Sequence, residues 1–350
     1  MSPHHHPNTQ LGQSHRSTGF TLVELLVSMA VVTILMLIFA TLTDRTANIW
    51  RSTRGKVSQF QQARDAFETI SRNLAQATLN TYLDYYDSTG ARRDATNSAT
   101  FQPDRYGRHS ELRLRSGPAA TLLEQPAAQA PGHALFFYAP LGESGAPANT
   151  ALHHLLNLTG YYITYGEDTE RPDFLPTVPT YGFRLYEFKQ RSENLIRPGA
   201  GRWPPDVTNH PDAHIIARNI VAITFLPKLP SQGPAGDPSI DADGSALAPN
   251  YEYDTLTAGQ AGVRKELNSL HQLPPIVEVT MVAIDDASAE RIGRDPTPPD
   301  FGLSGLFQNA DPLSRKADLK TLLETLRAQR LNPRVFTTEV SLKSAKWSRE

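Results

Sequence analysis

The sequence predicts an α+β protein in which one long N-terminal helix, apolar over its first half, packs on an antiparallel β-sheet head with long loops. Three observations predict it. Residues Leu25 to Leu42 carry no charge. Apolar residues then recur at helical spacing, and no proline occurs from Phe20 to Asn80. Beyond that point, short alternating or aromatic-rich runs are separated by stretches rich in Gly, Pro, Ala and Asp.

The totals bound the rest. A chain of 350 residues suffices for one large domain or two small ones. Its 27 prolines and 22 glycines predict many turns. The formal net charge is −2 and the arginines are scattered, so no nucleic-acid partner is expected. The absence of cysteine excludes disulfides, thiolate metal sites and a cysteine nucleophile, and leaves the compartment open.

The apolar run comes first. Phe20 to Leu42 would form a helix of about 34 Å, enough to cross a hydrocarbon core. The run is too long for a cleaved secretory signal, and Ile38-Phe39-Ala40 is a poor site for such cleavage. On hydropathy alone this is a plain membrane anchor. The helical pattern continues beyond it. Val57, Phe60, Ala63, Phe67, Ile70, Leu74 and Ala77 form a stripe, with Arg64, Glu68 and Arg72 off it. One helix is expected from Phe20 to about Tyr82, on the order of 90 Å long and membrane-spanning to about residue 43. Its second half is either a coiled-coil stalk or a face packed on the head. A stripe of only about three heptads favours the head.

Glu24 is the one charge between Arg16 and Asp44. A carboxylate inside a spanning helix costs several kcal/mol and points to function, with a partner to be named. Gly19-Phe20-Thr21-Leu22-Val23-Glu24, opening an apolar helix, resembles the cleavage and methylation site of type IV prepilins and type II secretion pseudopilins. The resemblance implies a prepilin peptidase that cuts after Gly19 and N-methylates Phe20. It implies that Glu24, fifth in the mature chain, meets the terminal amine of a neighbouring subunit, where two charges costly in lipid neutralise one another. It also implies a cytoplasmic leader over 1–19, the long helix over 20–82 and a pilin-like head over 83–350. Counting charges favours the opposite orientation, since Arg16 and His4, His5, His6 and His15 face Arg45, Arg51, Arg54 and Lys56. The motif prevails, because a peptidase site is useless on the wrong side.

The head reads as strands. Glu111 to Arg115 alternates cleanly. Ala134–Ala139, Tyr161–Tyr165 and Gly182–Phe188 are aromatic-rich. Ile215–Leu226 and Ile276–Ile284 are the strongest candidates, and Val335–Leu342 closes the chain. Leu319–Leu331 has leucines at helical spacing and ends before Pro333. Loops are expected at 88–109, 117–132, 190–212, 228–275 and 286–312. Antiparallel pairing follows from the lack of helices between most strands. The order of the Leu-Arg-Leu strand, the Tyr-Tyr strand, FRLYEF, ARNIVAITFLP and LPPIVEVTMVAID resembles the minor J-type pseudopilins and W-type minor pilins. The size and the ending Arg-Val-Phe-Thr-Thr-Glu-Val are similar to those of Verru_Chthon cassette proteins.

Few residues in the head suggest chemistry. Asp241-Ala242-Asp243-Gly244 is similar to part of an EF-hand loop, making Asp241 and Asp243 candidate calcium ligands. Ser239 and Asn250 would fill the first and twelfth places, where a carboxylate is wanted, so an acidic surface turn is the competing reading. No other cofactor is expected. His210 and His214 are four apart, but Pro211 argues against a helix there, and His153-His154 has no third ligand nearby. Asp285-Asp286 reads as a turn acid at a strand end. Tyr82, Tyr85 and Tyr86 are expected where helix meets head. No phosphate loop, Gly-x-Ser-x-Gly or His-Glu-x-x-His occurs.

Together these features lead to the expectation of a non-enzymatic minor pseudopilin or minor pilin of a type II secretion pseudopilus or type IV pilus-like filament. It would sit in the bacterial inner membrane as a single-pass protein with a cytoplasmic N-terminus. The head would be periplasmic or part of an extracellular filament. Its partners would be the peptidase, other pilins or pseudopilins, the inner-membrane assembly platform and lipid. Two alternatives stand beside this one: an adhesin or ligand-binding head displayed on a pilin stem, and a membrane-tethered enzyme.

Overall fold

The long helix is present and continuous in the computed structural model. α1 runs Leu22–Leu74. The strands that follow are β1 (Tyr82–Tyr86), β2 (Arg105–His109), β3 (Arg115–Pro118), β4 (His133–Ala139), β5 (Asn157–Glu167), β6 (Tyr181–Gln190), β7 (Ala213–Arg218), β8 (Ile220–Lys228), β9 (Tyr253–Asp254), β10 (Ile276–Ile284) and β11 (Pro333–Ser341). Three further helices are α2 (Ala119–Leu123), α3 (Asp286–Ile292) and α4 (Pro312–Ala328). The structure describes residues 21–149, 151–168, 179–198, 202–207, 210–229, 247–257 and 269–347. The chain divides into two units, residues 1–54 and 55–350.

The second unit is built on two antiparallel sheets. One has the order β7-β6-β5-β4-β3-β9 and the other β11-β10-β8. β1 and β2 form a separate two-stranded ribbon. Every residue of β4, HALFFYA, is buried, because core lies on both faces of the larger sheet. Leu135, Phe137, Tyr161, Ile163 and Leu185 join a core with the smaller sheet, α4 and the last turns of α1. Phe136, Tyr138, Leu158, Tyr162 and Phe188 join a second core with α2 and Trp203. Gly160 is required here: a Cβ would lie 2.1 Å from the Phe136 ring on the next strand.

The helical stripe packs on the head. Ala63, Ala66, Phe67, Ile70 and Leu74 are buried, whereas Arg64, Glu68 and Arg72 are exposed. Each of the larger side chains contributes about 1.5–3 kcal/mol by leaving water. The helix stops at Leu74 and not near Tyr82 as expected. The amides of Gln76 and Ala77 turn back to Asn73 and Leu74, and the Thr78 amide donates to Tyr138 O at 2.8 Å. That bond hands the chain to the sheet, and Tyr82–Tyr86 becomes a strand.

Several other expectations are corrected. Ile215–Leu226 is not one strand. Asn219 adopts φ +62°, donates its amide to Phe183 O and accepts from the Ile284 amide, so β7 pairs with β6 while β8 pairs with β10. Asparagine tolerates this left-handed turn better than other non-glycine residues. Glu111–Arg115 keeps its alternating burial, yet the ladder starts only at Arg115. The Glu111 and Leu112 amides go to Asn80 Oδ1 instead. α4 begins at Pro312, ahead of the expected Leu319. The Asp311 carboxylate caps it by accepting from the Leu313 and Ser314 amides. α3, α2 and β2 lie in stretches expected to be loops. Asp285 caps α3 by accepting from the Ser288 amide at 2.9 Å.

One polar cluster ties the last turn of α1 to the larger sheet. Asn73 Nδ2 donates to Tyr161 Oη at 2.8 Å and to Glu187 Oε1 at 3.1 Å. Tyr161 donates to the same carboxylate oxygen at 2.6 Å, and Lys189 lies 3.2 Å from the other oxygen. Burial, with the Glu187 charge beside it, pushes the Tyr161 phenol well above its usual range, so it remains a donor at any physiological pH. Glu187→Leu should therefore cost about 3–5 kcal/mol, because it removes the acceptor of the buried Tyr161 hydroxyl and one of the two Asn73 partners, and leaves Lys189 with Glu143 alone. Asn73→Leu should cost about 1–3 kcal/mol, because Glu187 keeps Tyr161 and Lys189. Denaturant unfolding of the two variants in the same detergent checks this order.

Candidate functional site

The candidate site is the start of α1. Leu22–Thr43 is long and apolar enough to cross a membrane, and none of it is buried in the protein. Leu22, Met36 and Phe39 are among its exposed side chains. Each hydroxyl in the run folds back on the helix: Ser28 donates to Leu25 O, Thr33 to Met29 O, Thr41 to Ile38 O and Thr43 to Phe39 O, at 2.7–2.9 Å. Such bonds satisfy hydroxyls that would otherwise be costly in hydrocarbon.

Glu24 sits in the first turn and has a partner within its own chain. Its Oε2 accepts from the Thr21 amide at 3.0 Å and from the Thr21 hydroxyl at 3.0 Å. The Glu24 amide donates back to Thr21 Oγ1 at 3.3 Å. This is a capping box, which satisfies helix-end amides reciprocally. A carboxylate here also faces the positive end of the helix dipole. The signal was legible in Thr21-x-x-Glu24, although the apolar context drew attention to the charge alone. Gly19 and Phe20 lie outside the described residues.

The other candidates are scattered. Asp241, Asp243 and Ser239 lie outside the described residues; Asn250 lies within them, near the start of β9. Among the described residues, no group of three or more His, Cys, Asp or Glu could hold a metal ion. His214 lies in β7, and His210 accepts from the Asp212 amide at Nδ1. His153 and His154 are exposed. Asp285 and Asp286 belong to the start of α3. Tyr82, Tyr85 and Tyr86 do not pack between helix and head: they lie on β1, where Tyr86 is buried and Tyr82 and Tyr85 are exposed. The cluster of Asn73, Tyr161 and Glu187 was missed entirely, and only its distance in sequence hid it. An open groove is lined by Arg64, Phe67, Glu68, Arg334 and Phe336. Its charges are already engaged, since Arg64 pairs with Glu68 and Arg334 lies over the rings of Phe60 and Phe336.

The described chain combines an apolar helix opened by a capped glutamate with a β-rich head further along the sequence. The comparisons refine that description. The family model for the prokaryotic N-terminal methylation motif matches residues 14–40, which indicates a type IV pilin-like protein. No curated protein and no solved structure matches the chain. The motif and the apolar helix together suggest membrane anchoring.

The capping box generates a prediction of its own. Thr21→Val removes the hydroxyl while keeping the amide, so the first turn of α1 should fray by about 1 kcal/mol. Amide exchange of Leu22 to Leu25 in micelles should quicken about fivefold, with no change beyond Ser28.

Proposed function

We propose that the protein is a minor pseudopilin or minor pilin, a non-enzymatic subunit of a type II secretion pseudopilus or type IV pilus-like filament. The methylation motif over residues 14–40, at the head of the spanning helix, carries this reading. Prepilin peptidase cuts after Gly19 and methylates Phe20. The mature helix then leaves the inner membrane for the filament, and the head stands in the periplasm or outside. The β-rich head fixed to the last turns of α1 supports the same reading, because a filament subunit needs its globular part carried by the assembling helix.

Glu24 supplies the pairing. Phe20 becomes a charged amine in an apolar environment, and a neighbouring Glu24 is the counter-charge that makes docking favourable. The presence of Glu24 itself favours a subunit that docks beneath or beside another. The groove between α1 and β11 gives no specific support to a ligand-binding head, because its charged groups are partnered within the chain.

Two measurements test this reading. N-terminal sequencing and intact mass of the protein from its native membrane should show a chain starting at methylated Phe20. A chain retaining residues 1–19 beside an active peptidase would remove the reading's main support. Glu24→Leu should be cleaved as wild type yet be recovered from sheared filaments hundreds-fold less, as an unpaired buried charge costs about 3–5 kcal/mol. Thr21→Val controls for the lost cap: it weakens the first turn but keeps the counter-charge, so its recovery should fall only a few-fold.

A further inference from the structure

The ribbon of β1 and β2 belongs to neither sheet, and a lone two-stranded hairpin is marginal in water. Tyr82, Leu83, Tyr85 and Tyr106 on it are exposed; beyond the membrane helix, only Leu152 and Leu313 share that state among the described large apolar residues. At its base, Asn80 Oδ1 accepts from the Ser110 hydroxyl and the Glu111 and Leu112 amides. An imidazole pair also joins it to the head. The ring of His109, the last residue of β2, lies 4.5 Å from the ring of His271, at 51°.

His271 is fixed to the head. It adopts φ +57°, and its amide donates to Thr255 O at 2.7 Å. Thr255 is itself bonded to Leu114 through both its amide and its hydroxyl. The His271 side chain is buried, and its Nδ1 has no hydrogen-bond partner among the described residues. His109 is fixed to the ribbon. The Tyr86 hydroxyl donates to Arg108 O at 2.8 Å, so its oxygen accepts from His109 Nδ1 at 3.0 Å. The surroundings are cationic. Arg105 lies 4.0 Å over the Tyr86 ring. Arg92 reaches Tyr82 and Asp84. Tyr82 donates to Glu111. His109 feels Asp84 and Glu111 as well as Arg92. The largest charge effects on His271 come from His109, Arg92, Arg105 and Arg108.

We propose that the contact between His109 and His271 is a pH-sensitive latch: both rings neutral, it holds the β1–β2 ribbon on the head, and protonation on acidification releases the ribbon. A buried imidazolium in ring contact with a second imidazole and near three guanidinium groups is unfavourable, and moving the ribbon away relieves it. Burial first, then His109 and the arginines, holds His271 down at about 4 against the usual 6.5. Burial and Arg92 also hold His109 down, against the pull of Asp84 and Glu111. A base whose pKa is lowered in the closed state binds fewer protons there than when released. The latch is therefore fully favoured above about pH 6.5 and weakens as the pH falls from there toward 4.

Hydrogen exchange of the full chain in detergent micelles at pH 7.5 and 4.5, corrected for intrinsic rates, tests the latch. Protection of residues 82–109 should fall about tenfold or more at pH 4.5 relative to β5 and β6. His271→Phe keeps a ring at the contact without a titrating group, so the ribbon should stay protected at pH 4.5. Equal ribbon protection at both pH values in the wild type would overturn the proposal. So would the same acid loss in His271→Phe. If that variant does not fold, the imidazole resonances of the wild type decide: His271 titrating near 4 supports the latch, and titration near 6.5 overturns it.

Discussion

The head depends on one buried carboxylate. Glu187 is 8% exposed and lies in β6. It persists there because each oxygen is engaged, Oε1 by Asn73 and Tyr161 and Oε2 by Lys189. A buried charge with these partners is tolerable, and without them it is strongly destabilising. The consequence for α1 is register. A stripe of Ala63, Ala66, Ile70 and Leu74 would still find apolar surface if the helix slid by a turn, since small aliphatic side chains fit many holes. Asn73 reaches Glu187 and Tyr161 in one register alone. The Thr78–Tyr138 bond then fixes the direction in which the chain leaves the helix.

The fold class and the long helix were legible because both rest on periodicity. The apolar stripe from Phe60 to Leu74 needs only a spacing of three and four, and β10 needs only a run of β-branched residues. Where side chains override the backbone pattern, periodicity fails. Asn219 divides the segment 215–226 between two sheets by taking a left-handed turn, and the polar pair Arg218-Asn219 is the only mark of it in the sequence. Asn80 draws off the amides of Glu111 and Leu112, so a well-alternating segment makes no ladder until Arg115. The start of α4 was readable in Asp311-Pro312, a cap followed by a proline at the first helical position, but the leucines further on are the louder signal. The end of α1 was not readable, because it is set by a bond to Tyr138, a residue distant in sequence.

The candidate site shows the same division. Glu24 was conspicuous as a lone charge in an apolar run, and the motif around it names a processing event. Its structural partner, Thr21, required the capping pattern to be noticed against a lipid background. The contact between His109 and His271 could not be read at all. Each residue stands in a stretch without clear periodicity, and only the turn held by Thr255 brings them together.

The cap on Glu24 bears on how a membrane helix can carry a carboxylate before any neighbour arrives. The first amides of a helix have no partners within it, and in hydrocarbon each unsatisfied group costs several kcal/mol. Glu24 relieves part of that cost while lowering its own, since its charge is met by the Thr21 amide and hydroxyl and by the helix dipole. Both bonds run to Oε2. A carboxylate offers about four acceptor positions, so one that caps its own helix keeps capacity on Oε1 for a second donor. Under the proposed assembly, the amine of a neighbouring Phe20 would take that position without breaking the cap. A single residue can therefore keep an isolated subunit tolerable in lipid and still be the point at which subunits recognise one another. Leucine in its place would be comfortable in the bilayer, but it could neither cap the first turn nor offer a counter-charge.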